Sequence, residues 1–254
     1  MLLRKNYLFI KKSSIKHGFF TRLNGLSKKE FNSLNCSISN GDNKKNVFKN
    51  RSIAMKNLNL DTKKLVLLKQ THSSNVIRIN KNNLNKNLEA DGMITSLNNV
   101  VLGILTADCA PIFIYDDEKR FVCSLHSGWK GSLNNICYKA VKLLKKYNIN
   151  ENKLNAIIGP CIGINNYEVD KKFEKKFINK DFRYSKFFRN KNTIKSNFNL
   201  RGLINFQLRE LGLKKIHNIK LDTYSDKNLF FSHRRATHKG KKTTGRLINL
   251  ISLT

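Results

Sequence analysis

The sequence is short of the residues that break or staple a chain. It has only two prolines and one tryptophan among 254 residues. No Gly/Ser-rich stretch marks a linker, so nothing divides the chain into separate units. The five cysteines, at 36, 109, 123, 137 and 161, are odd in number and contain no Cys-x-x-Cys pair. That pattern argues against an oxidised secreted scaffold and for a reducing, cytoplasmic setting. Long apolar runs are missing too. The longest, Val100 to Ala107, falls far below the ~20 residues of a membrane span. The opening segment MLLRKNYLFIKK has too short an apolar run, broken by charge, for a signal peptide.

Acidic side chains are scarce: 17 Asp plus Glu stand against 49 Lys plus Arg, a net charge of +32. Such an excess raises nucleic acid or an anionic membrane as partner. Here it is spread along the whole chain in pairs such as Lys44-Lys45, Lys145-Lys146 and Lys241-Lys242. Lysine outweighs arginine and asparagine is abundant, which is what an AT-rich genome imposes through its codons. No helix-turn-helix, zinc-finger or RNA-recognition signature accompanies the charge, so solvated faces are expected. A nucleic-acid-binding module remains the rival from another class, and steeply salt-dependent binding would be its mark.

What is present suits one sizeable core. Hydrophobic residues make up 40% of the chain, and a chain of this length buries roughly 70–75% of its unfolded surface. Short apolar segments bounded by polar residues read as strands at Leu65–Lys69, Asn75–Ile79, Val100–Ala107, Pro111–Tyr115 and Phe121–Leu125. Leu133, Ile136, Cys137, Ala140, Val141, Leu144 and Tyr147 recur at helical spacing. Leu200, Leu203, Ile204, Leu208 and Leu211 do the same, with Gly212 as a stop. Strands outnumber helices and cluster before them, which predicts an α+β fold rather than a doubly wound sheet.

Three residues stand at the ends of these strands: His72 in Gln70-Thr71-His72-Ser73, Cys109 in Thr106-Ala107-Asp108-Cys109, and His126 in Leu125-His126-Ser127-Gly128-Trp129. One thiolate and two imidazoles suit zinc, with a fourth position open for water or substrate. Their spacing matches no short metal motif. Taken alone, each histidine is more often a hydrogen-bonded structural residue and Cys109 a small buried hydrophobe.

Eight blocks in order resemble a known family. They are His17-Gly18-Phe19-Phe20-Thr21-Arg22, Ser33-Leu34-Asn35, Gln70-Thr71-His72, Ala90-Asp91-Gly92-Met93-Ile94-Thr95, Thr106 to Pro111, His126 to Gly131, Ile158 to Ile162, and Ser232-His233-Arg234-Arg235 with Thr244-Gly245-Arg246. On them the chain resembles the YfiH-like laccase-domain family of purine nucleoside phosphorylases. The resemblance implies a single domain over residues 1–254 with a layered α/β/β/α sandwich. It implies zinc held by His72, Cys109 and His126, which also form the active site. The implied activity is phosphorolysis of adenosine, inosine and methylthioadenosine, with adenosine deamination alongside.

The chain departs from the family pattern in places. Asn199 stands where Asp is usual, Asp222 where Cys is frequent, Ala236 for Asp, and Lys130 for Arg. A lysine presents a point charge instead of a bidentate fork.

Several further residues are candidates. Arg22, Arg51, Gln70 and Lys130 are candidate contacts to phosphate, ribose or base. Asp108 is a candidate proton shuttle for deamination or a loop-capping carboxylate. Cys161 is expected to pack in a turn and His217 and His238 to lie on the surface; Trp129 could stack on a purine, with a core anchor the expectation. His233-Arg234-Arg235 suggests an anion site, but a C-terminal strand with outward charges is the expectation.

Two enzyme rivals remain. A cysteine hydrolase or amidase acting on peptidoglycan precursors would use Cys109 as nucleophile and His126 as base. A multicopper oxidase would need about ten histidines for four coppers; the chain has six and no His-x-His pair, which rules out a complete site of that kind.

Overall fold

The computed structural model describes residues 2–4, 6–10, 15–118 and 120–253; Met1, Lys5, Lys11 and Lys12 of the opening segment lie outside them. In chain order the strands are β1 (Leu2–Arg4), β2 (Tyr7–Phe9), β3 (Lys16–Phe20), β4 (Lys64–Leu67), β5 (Val76–Ile79), β6 (Gly92–Thr95), β7 (Val100–Thr106) and β8 (Ala110–Asp116). They continue with β9 (Val122–Ser127), β10 (Leu154–Ile158), β11 (Glu168–Asp170), β12 (Phe188–Asn190), β13 (Lys195–Phe198), β14 (Lys215–Asn218) and β15 (Leu247–Ser252). The helices are α1 (Lys44–Asn57), α2 (Trp129–Leu133), α3 (Ile136–Lys145), α4 (Lys171–Lys180), α5 (Leu200–Glu210) and α6 (His233–His238).

Two six-stranded sheets carry the fold, in the orders β1-β2-β3-β15-β7-β4 and β14-β10-β8-β9-β6-β5, with β11-β13-β12 as a small third sheet. Side-chain alternation sorts the core into layers. On β15, Leu247 and Ile251 face inward with Phe19, Leu102, Ile104, Phe113 and Tyr115. Ile248 and Leu250 of the same strand face outward, onto Ala54 and Met55 of α1. On β8, Phe113 points between the sheets, whereas Ile112 and Ile114 point at Cys137, Val141 and Leu144 of α3 and Leu203 and Leu208 of α5. The order helix, sheet, sheet, helix is the expected α/β/β/α sandwich in one domain. Among the described residues no helix is long and apolar enough to cross a membrane.

All five expected strands are present within a few residues of their expected bounds. The helix expected from Leu133 is instead two. Asn135, at a left-handed φ of 50°, interrupts it and caps α3 by accepting from the Tyr138 amide. Gly212, at φ 86°, ends α5 as expected. The segment from His233 is a helix and not a strand: Ser232 caps it by accepting from the Arg235 amide at 3.1 Å. Asn199 keeps the capping role that Asp would have, its Oδ1 accepting from the Gly202 amide at 2.8 Å.

Candidate metal centre and its cleft

Strand pairing assembles the site from distant segments. The β8–β9 register sets Ala110 opposite Ser127 and Pro111 opposite His126, so Cys109 emerges beside His126 at one end of the second sheet. The loop after β4 brings His72 to the same end. Its ring lies edge-on to that of His126, centroids 4.8 Å apart. One ligand atom from each of His72, Cys109 and His126 falls within 4.8 Å of the others. His72 is exposed, Cys109 intermediate and His126 buried, so the cluster opens to solvent on one side.

Asp91, fully buried just before β6, organises this group. Its Oδ2 accepts from the amides of Thr71 (3.2 Å) and Ser73 (2.6 Å), and its Oδ1 from the amide of His72 (3.0 Å). Three consecutive N–H groups thus converge on one carboxylate and hold His72 at its left-handed φ of 58°, a strained conformation for a residue with a Cβ. Oδ1 also accepts from Nδ1 of His126 at 2.8 Å. Burial opposes the charge on Asp91, but the His126 and Ser73 hydrogen bonds outweigh it and hold the carboxyl down at about 2. Ionised Asp91 can only accept, so His126 carries a proton on Nδ1 toward it and turns Nε2 to the cluster, the atom a metal would take in exchange for its proton.

The same balance operates on the thiol. Burial opposes the thiolate of Cys109, yet His126 and His72 bring it down to about 6. Burial likewise opposes a charge on His126, and Cys109 and Asp91 nevertheless raise it to about 9. Gly128 leaves the room this needs: a Cβ there would lie 2.9 Å from Cys109 Sγ and 3.3 Å from His72 Cδ2. An acidified thiol and two imidazoles whose ligand atoms lie within 4.8 Å of one another form a donor set fitted to a metal ion.

The cluster sits in a cleft of about 980 Å³, large enough for a nucleoside-sized ligand. Trp129 and Tyr167 form part of its wall, and Arg51, Arg234 and Arg246 bring cations to it. Of the further expected contacts, Arg51, Gln70 and Asp108 line the cleft. Arg51 spends Nε on the Cys36 carbonyl at 2.8 Å. The Gln70 amide spans the Leu105 backbone, donating at 2.9 Å and accepting at 2.7 Å.

Asp108 has both oxygens engaged. Thr223 Oγ1 donates to Oδ1 at 2.7 Å, and Ser232 Oγ and the Arg234 amide donate to Oδ2 at 3.0 and 2.7 Å. It therefore brackets two loops rather than standing free to move protons.

Two expected contacts fall outside the cleft lining. Arg22 donates to the Asn32 carbonyl at 2.6 Å and lies over the Phe231 ring, and Lys130 lies over Trp129. Trp129 both packs on the core and faces the cleft. Cys161 is buried, and His217 and His238 are exposed. Asp222, in place of the frequent Cys, accepts from the Gly163 amide at 2.9 Å.

Asp91 behind the cluster, and Gly128 and Arg246 in the cleft lining, have roles that the sequence did not single out, whereas Arg234 lay in a segment already read as a possible anion site. The available signal was an acid heading the wholly buried segment Gly92–Thr95.

The sequence pattern of the family described as "Multi-copper polyphenol oxidoreductase laccase" matches residues 16–254. A purine nucleoside phosphorylase of Rickettsia prowazekii is 37% identical over 178 residues, 68% of this chain and 72% of that one. A purine nucleoside phosphorylase of Campylobacter jejuni is 31% identical over 252 residues, covering 98% and 97%. The crystal structure of the hypothetical protein YfiH of Bacillus licheniformis superposes with a TM-score of 0.91 at 28% identity, covering 98% of this chain and 97% of that one. By sequence pattern, relatives and fold alike, the chain belongs to the YfiH-like laccase-domain family.

Proposed function

We propose that this protein is a zinc-dependent purine nucleoside phosphorylase, one domain over residues 1–254. It takes adenosine, inosine and methylthioadenosine, and it also deaminates adenosine. The observation that carries the reading is the His72, Cys109 and His126 cluster, fixed by Asp91 at the base of a cationic cleft. Relatives named purine nucleoside phosphorylase support the substrate class. The three clustered residues hold the metal and form the catalytic centre, and a bound zinc would supply a Lewis acid and a water of lowered pKa there.

The chain's own groups account for the rest. Asp91 keeps Nε2 of His126 aimed at the centre, and the Trp129 and Tyr167 rings offer flat faces for a purine. The guanidinium groups attract phosphate and steady its charge near the sugar. Asp108 holds the Thr223 and Ser232 loops against the cleft. Three protein donors in one group suit a single ion rather than the copper cluster of the family's description. The same three donors would also suit a single copper ion, and elemental analysis separates the two metals.

A second reading has a specific observation behind it. Cys109, His126 and Asp91 are linked as nucleophile, base and orienting acid, the arrangement of a cysteine hydrolase or amidase. Metal content discriminates, because a bound ion occupies the thiolate. The deciding experiment is product analysis of adenosine with and without inorganic phosphate, beside metal analysis. Zinc near one per chain and phosphate-dependent ribose 1-phosphate are expected. Phosphate-independent release of free ribose would remove the phosphorylase reading.

A further inference from the structure

The segment from Ser232 to Arg246 places two arginines in the cleft with unusual care. Arg246 is fixed at both backbone ends: its amide donates to Asn35 Oδ1 at 2.8 Å, and its carbonyl accepts from the Cys36 amide at 3.1 Å. Its side chain is fixed as well, Nη1 donating to the Thr244 carbonyl at 2.9 Å. Gly245 permits this path, since a Cβ there would meet the Phe231 ring at 2.5 Å. Arg234 is held in the same manner. Its amide donates to Asp108 Oδ2 at 2.7 Å, its Nη1 donates to the Glu168 carbonyl at 2.7 Å, and its guanidinium lies over Tyr167.

Neither arginine forms an ion pair among the described residues. The nearby carboxylate, Asp108, has both oxygens already occupied. Both side chains line the cleft that holds Cys109, His72 and His126. Charged forks anchored on neutral carbonyls, with no carboxylate paired to either guanidinium among the described residues, are prepared for an oxyanion that arrives from solution.

We propose that Arg246 and Arg234 form the subsite for inorganic phosphate, in place of the Arg22 and Lys130 expected from the sequence. This rests on the phosphorylase reading. With hydrogenphosphate held there, one of its oxygens bonds to the anomeric carbon of the nucleoside as the bond from that carbon to the purine nitrogen breaks. The electron pair of the broken bond goes to the purine, which takes up the proton that hydrogenphosphate gives up. The products are neutral free base and ribose 1-phosphate, so atoms and charge balance. Fixing both guanidinium groups beforehand spares the reaction their reorganisation.

The test compares Arg246→Gln, Arg246→Lys and Arg234→Gln with wild type, and uses exposed Lys180→Gln as control. The KM for phosphate should rise roughly tenfold to a hundredfold in both Gln variants, as expected for losing charge-assisted hydrogen bonds. The KM for nucleoside and the metal content should stay near wild type. Arg246→Lys should fall between, because it restores charge without the fork. Inorganic phosphate should raise the Tm of wild type and of Lys180→Gln but not of the Gln variants.

Unchanged phosphate KM and an unchanged phosphate-induced Tm shift in folded, metal-loaded Arg246→Gln and Arg234→Gln would overturn the assignment. If Arg246→Gln does not fold, Arg246→Lys and Arg234→Gln decide by the same two readouts. If wild type proves to cleave without phosphate, the phosphorylase reading falls. The Tm shift still reports separately on the anion subsite.

Discussion

Two regions of this molecule enclose thiols, and they treat them in opposite ways. Between β9 and α3, Cys123 and Cys137 lie fully buried among aliphatic side chains such as Leu144 and Ile114. Burial pushes Cys137 up to about 12 and Cys123 well above the usual thiol value. At the cleft, burial pushes Cys109 the same way, but two imidazoles more than reverse it. Depth in the protein therefore does not decide reactivity here; the charges placed beside the sulfur do.

The largest effect should come from removing those charges. On the proposed reading, in which one metal centre serves both reactions, Cys109→Ala, His72→Ala and His126→Ala should each lose the metal and roughly three orders of magnitude or more of both phosphorolysis and deamination. Full metal occupancy together with undiminished deamination in these variants would dissolve the contrast between the two regions. Asp91→Asn probes the layer behind. It should weaken metal affinity by roughly 10–100-fold, measured by competition with a chelator, because a neutral amide holds the His126 tautomer less firmly.

The contrast can also be read directly as alkylation. In chelator-treated protein, iodoacetamide should modify Cys109 at neutral pH and spare Cys123 and Cys137 until the chain unfolds, as mass spectrometry of the labelled peptides would report. Equal labelling of all three would break the comparison. Cys123→Ala and Cys137→Ala should cost only ~1–2 kcal/mol of stability in urea melts and leave metal and turnover intact.

A smaller, global effect belongs to His17. Burial lowers it to about 4 from 6.5, and its Nε2 accepts from the Ile10 amide at 3.1 Å. The unfolded chain therefore takes up this proton first as pH falls. The stability present above pH 6.5 should decline toward pH 4, by on the order of 3 kcal/mol from this group. A His17→Gln variant, melted across that range, should show a flatter acid limb. An unchanged slope would remove His17 from the account.

Much of the framework was legible because it rests on local patterning. The apolar runs of β7, β8 and β9 and the helical spacing of α3 and α5 depend on neighbours in sequence. The features that were missed depend on partners far away. Asp91 matters because it reaches His126 and three amides around His72. The helix at His233 forms because Ser232 caps it while Asp108, in a distant turn, takes the Arg234 amide. Arg22 and Lys130 look no different in sequence from Arg246, and only the direction of each side chain in the folded protein separates them. The His72, Cys109 and His126 cluster was visible through the family resemblance, whereas spacing alone left a site there open.

The place of β15 has a consequence for the making of the protein. This strand, residues 247–252, lies in the middle of the first sheet, paired with β3 on one side and β7 on the other. A ribosome that has delivered everything up to Arg246 has delivered two half-sheets with unpaired edges and no seam between them. The facing edges of β3 and β7 stay open until β15 emerges, a window in which a nascent chain is prone to sticking to its neighbours. Completion of the first sheet and delivery of Arg246 to the cleft thus fall at the same step of synthesis.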